Sequence, residues 1–142
     1  MSITEKQDAI ISEFEVFDDW MDKYQYIIEL SKRLPPIDET KKVEQYIIKG
    51  CQSNVWLDAQ FDGTHVYYFA DSDALITKGI VSLLIRVLSG HTPQEIIDSD
   101  LYFIEKIGLK ENLSPTRSNG LLAMIKQMRY FAMAFQHKSA KQ

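Results

Sequence analysis

The most chemically distinctive side chain in the sequence is a thiol, because Cys51 is the single cysteine among 142 residues. One cysteine excludes an internal disulfide, and it excludes any metal site that takes several thiolates from this chain. Gly50 precedes Cys51, and the polar pair Gln52 and Ser53 follows it. This spacing predicts a tight loop with little side-chain bulk beside the sulfur, which a second molecule could approach closely.

The residues around Cys51 leave its role open. A lone cysteine is most often a small buried hydrophobic residue that has no chemical role. Thiolate chemistry needs a lowered pKa or a nearby base, and neither a histidine nor a lysine is adjacent to Cys51 in the sequence. Activation of this thiol would therefore have to come from the folded structure or from a partner.

Charged residues at two predicted helix starts are the next candidates. Arg117 falls in the first turn of the last predicted helix, where a cation is electrostatically unfavourable. Contact with an anion or a carboxylate would explain that position, and so would an ordinary surface arginine that carries a small penalty. Asp73 lies at the start of an earlier predicted helix, where capping by Ser72 or Asp73 is a sufficient explanation.

Two strands are predicted directly after the cysteine. Residues 55–61 and 64–70 alternate between the two faces of a strand, and an Asp-Gly pair at 62–63 separates them. That pair predicts a two-residue type I′ turn with Leu57 opposite Tyr68. A further short strand is predicted at 46–48, immediately before Gly50.

Helices are predicted before and after this hairpin in the sequence, from hydrophobic spacing, capping residues and proline positions. Their approximate bounds, in chain order, are 3–17, 20–34, 75–89, 93–97, 101–107 and 115–136, and the tail after 136 is expected to fray. The order indicates one α+β domain over residues 1–142, in which helices pack on one face of a small antiparallel sheet.

Composition narrows the class of protein. The 20 acidic and 16 basic side chains give a formal charge of −4, so no overall attraction to nucleic acid or anionic lipid is expected. No stretch approaches the roughly 18 to 20 apolar residues of a membrane span, and the first 15 residues lack the pattern of a signal peptide. We therefore expect a cytoplasmic protein.

Four blocks of the sequence carry recognisable motifs. They are YIIELSKRLPP at 26–36, GCQSNVWL at 50–57, DSDALITKGIVSLL at 71–84 and LSPTRSNGL at 113–121. These blocks resemble the SufE family of cysteine desulfuration proteins. The blocks occur in the family's order, and the resemblance covers nearly the whole chain. It implies a SufE-like fold, similar to that of the IscU scaffolds, and a role in iron-sulfur cluster assembly.

The resemblance also implies a role for each candidate residue. Cys51 matches the cysteine that accepts sulfur as a persulfide, and Gln52 and Ser53 belong to its loop. Asp73 and Arg117 match residues associated with that loop or with the contact to a desulfurase. The loop is expected to shield Cys51 among apolar neighbours until a partner draws it out.

The implied partner is a SufS-type cysteine desulfurase, which the chain would stimulate as an accessory protein rather than as a self-sufficient enzyme. The chain would need no cofactor and no metal, because pyridoxal phosphate belongs to the partner. The sulfur would then pass to a recipient in the iron-sulfur assembly machinery. CsdE proteins share the same motifs, so a CsdA-like desulfurase is also open as the partner.

Three other interpretations compete with this one. An iron-sulfur scaffold is disfavoured because cluster binding takes about four cysteine-type ligands. A thiol hydrolase would pair Cys51 with a histidine, but His65, His91 and His137 fit ordinary histidines better than a catalytic base. A plain interaction module with an inert cysteine is the remaining alternative.

Overall fold

Helices pack against a short β-hairpin in the computed structural model, which describes residues 1–140. The last two residues of the predicted frayed tail, Lys141 and Gln142, lie outside the described residues. The elements are α1 (Ile3–Phe14), α2 (Trp20–Leu30), β1 (Val55–Phe61), β2 (Val66–Ser72), α3 (Leu75–Leu88), α4 (Pro93–Asp98), α5 (Phe103–Lys106), α6 (Leu109–Asn112) and α7 (Pro115–Ala140). This arrangement confirms the predicted α+β class.

The inward face of the hairpin forms the base of the hydrophobic core. Its side chains are at most 1% exposed and belong to Val55, Leu57, Val66, Tyr68 and Ala70. Complete burial of an apolar side chain stabilises a fold by about 1.5–3 kcal/mol. The Tyr68 hydroxyl also donates a hydrogen bond to the Met128 carbonyl at 2.6 Å, and this bond fixes β2 against α7.

The hairpin pairs with a register that lies two residues from the predicted one. Leu57 lies opposite Ala70, because four residues connect the strands instead of two. The Asp62 carboxylate closes this loop by accepting hydrogen bonds from the backbone N–H groups of Thr64 and His65, at 2.8 and 2.7 Å. The same side chains still face inward, because a shift of two residues preserves the alternation of a strand.

The predicted strand at 46–48 is wrong. Residues Glu44–Tyr46 form a 3₁₀ helix, in which the N–H of Tyr46 donates to the Val43 carbonyl at 3.0 Å. Local bonding of this kind competes with a strand ladder. Only Ile47 pairs with β1, through a single bridge to Trp56, so the chain turns directly into the cysteine loop.

Helix α3 lies at the centre of the core, and most of its residues are buried. The predicted side-chain cap is wrong, because Ala74 occupies the N-cap position and has no side chain that can cap the helix. The Ser72 hydroxyl instead accepts a hydrogen bond from the Ala74 N–H at 3.2 Å. At the other end Gly90 follows the helix with φ +83°, which agrees with the predicted glycine stop. Asp73 is therefore free to bond elsewhere, and its partners lie in the cysteine loop.

Helix α1 is tied to α3 through a charged pair. The Glu13 carboxylate accepts hydrogen bonds from both terminal nitrogens of Arg86 and from the Tyr26 hydroxyl. The bond from Arg86 is the largest of the effects that lower the pKa of Glu13. Arg86 thus has its guanidinium committed to holding two helices together.

The last part of the chain differs from prediction in its helix bounds. A short helix, α6, follows the left-handed Gly108 and had no clear signal in the sequence. Helix α7 starts at the predicted proline but continues to Ala140, beyond the predicted end near Gln136. Within residues 1–140, no helix has both the length and the apolar character that crossing a membrane requires.

Candidate functional site

Cys51 lies in the loop Gly50–Asn54, hereafter the cysteine loop, which leads into β1 and packs against α7. Gly50 has φ +97°, and a Cβ at this position would lie 3.4 Å from the Ala123 Cβ. The Cys51 Sγ lies 3.6 Å from the Gly120 carbonyl oxygen, to which the thiol can donate a weak hydrogen bond. The positive φ at position 50 favours glycine, and Gly120 places no side chain against the thiol.

A cavity of about 80 Å³ adjoins the thiol between the cysteine loop, α3 and α7. A cavity needs about 10–15 Å³ to hold one water molecule, so there is space beside Cys51 for at least one more atom of sulfur's size. The wall combines exposed polar side chains with buried apolar ones. The former include Gln52, Thr116 and Arg117, and the latter include Ile76, Ile80 and Met124.

The fold does not activate the thiol. Burial raises the pKa of Cys51, because a thiolate is disfavoured where it loses contact with water. The resting side chain is thus a neutral thiol at pH 7. Among residues 1–140, the hydrogen-bond partner of its sulfur is the Gly120 carbonyl, which does not act as a base toward the thiol.

The histidines lie away from the cavity. None of them lines it, and His65 is in the hairpin loop at the far end of β1, a strand that spans roughly 20 Å at about 3.4 Å per residue. His91 is buried, with Nδ1 3.7 Å from a Glu95 carboxylate oxygen. No histidine among them forms the nucleophile and base pair that a thiol hydrolase requires.

Asp73 holds the end of the cysteine loop. Its carboxylate accepts hydrogen bonds from the backbone N–H and the side-chain amide of Asn54, at 3.1 and 2.9 Å. The Asp73 N–H and the Ser72 hydroxyl both donate to the Asn54 carbonyl, at 3.2 and 2.9 Å. Asp73 is therefore a loop anchor and does not line the cavity beside the thiol.

Arg117 lies on the cavity wall and is exposed to solvent. Its guanidinium carbon lies 5.9 Å from the centre of the Tyr24 ring. Arg86 is bonded to Glu13, whereas the ion pairs found in residues 1–140 do not include Arg117. Its charge is thus available, next to Cys51, to an anion or to a carboxylate of a partner.

The structure brings Cys51, Gln52, Ser53 and Arg117 together around one cavity, with Asp73 behind the loop. Sequence reasoning did not single out Asn54 or Gly120 as parts of this site. The sequence did contain a sign that Gly120 is unusual, because it is a glycine inside a predicted helix and within the LSPTRSNGL block. Within the described residues, no group of three or more His, Cys, Asp or Glu side chains could hold a metal ion.

Known proteins resemble the chain in sequence and in fold. Residues 8–132 match the family model described as SufE, Fe-S metabolism associated domain. An uncharacterised SufE-like protein of Rhizobium etli is 42% identical over an alignment of 127 residues, and the match covers 86% of this chain and 86% of that protein. A solution structure of a hypothetical protein from Thermus thermophilus aligns with a TM-score of 0.76 at 21% identity, over 93% of this chain and 96% of that one. The last comparison supports the fold.

Proposed function

Because the chain belongs to the SufE family, which is associated with Fe-S metabolism, we propose that it accepts sulfur as a persulfide on Cys51 from a cysteine desulfurase. The proposal rests on the position of Cys51, which is the single cysteine of the sequence. Cys51 is half-buried in a glycine-bounded loop, beside a cavity with space for one more sulfur atom.

The transfer is an exchange between two sulfur atoms and needs no oxidant. The Cys51 thiolate attacks the outer sulfur of the donor's persulfide, and a new S–S bond forms as the donor's own S–S bond breaks. The donor cysteine leaves as a thiolate and takes up the proton that Cys51 lost. Cys51 then carries the outer sulfur, and the same exchange passes it to a thiol of the next recipient.

The raised pKa of Cys51 gives the partner a role in activation. A neutral thiol in the free chain reacts slowly with other disulfides and oxidants, because the thiolate is the nucleophile. The cysteine loop rests on α7 through the weak contact with Gly120 and is anchored at its end by Asp73. A partner that draws the loop outward would return Cys51 to water and lower the pKa of its thiol.

Arg117 fits the surface that receives the partner. It is a cation at the cavity wall that has no carboxylate partner among the ion pairs of residues 1–140, and a guanidinium binds carboxylates in a defined planar geometry. Gln52 and Ser53 are loop residues that would move together with Cys51. We assign these three residues, with Asp73, to positioning the loop or contacting the desulfurase.

The partner would be a SufS-type or a CsdA-type desulfurase, and its pyridoxal phosphate would release the sulfur from free cysteine. The chain would stimulate that enzyme as a persulfide-carrying accessory protein, and it would deliver the sulfur to the iron-sulfur assembly machinery. Its cytoplasmic location stays a prediction from the sequence.

Intact-mass measurement tests the proposal. The chain is incubated with a desulfurase and cysteine, then weighed before and after treatment with a reductant. We expect the mass of one added sulfur atom, which the reductant removes, on the wild type and none on Cys51→Ser. The proposal fails if the wild type gains no reductant-labile sulfur, or if Cys51→Ser gains as much.

A further inference from the structure

The packing around the resting Cys51 thiol does not require a glycine at position 120. It is buried in α7, where glycine is about 1 kcal/mol less favourable than alanine. A Cβ on residue 120 would lie 3.6 Å from the Cys51 Sγ and 3.9 Å from its Cα and Cβ. These distances are ordinary van der Waals contacts, so an alanine would fit beside the thiol.

The other helical glycine near the core is different. A Cβ at Gly79 would overlap the Ile27 carbonyl group, so the packing of α2 on α3 requires glycine there. No such clash exists at Gly120. The absence of a side chain at position 120 would therefore matter only in a state in which Cys51 occupies more space than a thiol does.

A persulfide is such a state. Its outer sulfur is bonded about 2.05 Å from Sγ, and it cannot point straight at the Gly120 carbonyl oxygen, which is 3.6 Å from the same Sγ. The outer sulfur must lie to one side of that oxygen. Gly120 lines the cavity, and a methyl group on residue 120 would lie 3.6 Å from the Cys51 Sγ, so it would take up cavity space close to the outer sulfur.

We infer that Gly120 is a positioning residue for the persulfide. Because it has no side chain, it leaves one wall of the cavity open, so that Cys51 can be sheltered as a persulfide as well as a thiol. This inference rests on the proposed function. In the sheltered position the outer sulfur would lie among buried apolar side chains, such as Ile80 and Met124, away from water and small thiols.

The Gly120→Ala substitution distinguishes the thiol form of Cys51 from its persulfide form. We expect the added methyl group to fit beside the thiol and to conflict with the outer sulfur of the persulfide. Asn119→Ala is the matched control, since it also raises helix propensity but lies at an exposed position of α7. Each variant is loaded with inorganic polysulfide. The Cys51 thiolate attacks a polysulfide sulfur, one S–S bond breaks, and the shortened polysulfide leaves with the electron pair.

Two quantities are then measured for the wild type and both variants. The first is the thermal midpoint of the thiol form, and the second is the rate at which a small thiol removes the added sulfur, followed by intact mass. We expect thermal midpoints equal to or above that of the wild type. We expect the sulfur to be lost about tenfold faster from Gly120→Ala, equivalent to about 1.4 kcal/mol, and at the wild-type rate from Asn119→Ala.

Equal rates of sulfur loss from Gly120→Ala and the wild type would overturn the inference. So would unfolding of the Gly120→Ala thiol form, because a methyl group would then not fit beside the resting thiol. Loading with polysulfide needs no desulfurase, so these results are independent of the partner. A wild type that takes no sulfur from a desulfurase would instead overturn the proposed function.

Discussion

Strand β1 has a loop at each end, and the two loops are held in different ways. Gly63, in the loop that follows β1, has φ +98°, and a Cβ on it would meet no atom within 4 Å, whereas a Cβ on Gly50 would lie 3.4 Å from Ala123. Asp62 closes the following loop from within. The cysteine loop is held by Asp73, 19 residues away from Asn54 in sequence.

This difference separates a structural loop from one that can be released. A loop closed by its own residues keeps its conformation whatever the rest of the molecule does. The cysteine loop depends instead on contacts with α7 and with the junction between β2 and α3, so a partner that broke these contacts would release it. Sulfur transfer in the proposed function requires such a release when a desulfurase approaches Cys51.

The largest expected effect is the difference in sulfur transfer between substitutions at Gly50 and at Gly63. Gly50→Ala and Gly63→Ala both place a side chain at positive φ, which costs about 1–2 kcal/mol of stability. In Gly50→Ala the strained residue adjoins Cys51 and shifts the loop that carries it, so we expect its sulfur transfer to fall about tenfold, or about 1.4 kcal/mol. Urea unfolding and a transfer assay measure the two effects. Equal transfer by both variants would remove the distinction between the loops.

The two aspartates give the next effect. Asp73→Ala removes two hydrogen bonds to Asn54, each worth about 1 kcal/mol, so the cysteine loop opens more often and alkylation of Cys51 should become several-fold faster. Asp62→Ala also removes two hydrogen bonds, so it should lower stability by a similar amount and leave the alkylation rate unchanged. Faster alkylation in Asp62→Ala, or an unchanged rate in Asp73→Ala, would contradict the assigned anchors.

The next comparison is between Arg117, on the proposed partner surface, and Arg86, which is bonded to Glu13. Arg117→Ala should reduce stimulation of the desulfurase a few-fold and change stability by less than about 0.5 kcal/mol, as at other surface positions. Arg86→Ala is the control and should lower stability by about 1 kcal/mol without affecting stimulation. Desulfurase turnover and urea unfolding test both variants, and undiminished stimulation by Arg117→Ala would remove its assignment.

The smallest expected effect is on the titration of Cys51. Burial raises the pKa of its thiol in the folded chain, so the alkylation rate should rise with pH to a higher midpoint than in the chain unfolded by urea. The folded state correspondingly loses stability as pH rises past the ordinary pKa of a thiol. In Asp73→Ala the midpoint should move toward that of the unfolded chain, and a midpoint below it in the wild type would contradict the shielded thiol.

Local patterns predicted much of the fold. Strand β1 has the predicted bounds, and the start of α7 follows from Ser114 and Pro115. The hairpin register was not predictable from alternation, because a period of two residues cannot distinguish registers that differ by two. The carboxylate of Asp62 decided the loop length, through bonds to two N–H groups in the loop.

The site was predictable only in part. Family motifs identified Cys51, Gln52, Ser53 and Arg117, which the structure places around one cavity. Shielding of the thiol was expected from the family resemblance, but its contact with Gly120 was not predictable from local patterns, because Gly120 lies 69 residues away in sequence. For Asp73, the cap expected from the sequence was replaced by long-range bonds to the cysteine loop, which only the folded chain brings within reach.

A single-turnover transfer experiment tests sulfur acceptance by Cys51 most directly. A desulfurase is first charged with persulfide and freed of cysteine, then mixed with the chain, and both proteins are weighed intact after rapid quenching in acid. We expect sulfur to leave the desulfurase and to appear on the peptide that contains Cys51, one atom for one. Persistence of the persulfide on the desulfurase while Cys51 stays a free thiol would contradict the proposed transfer.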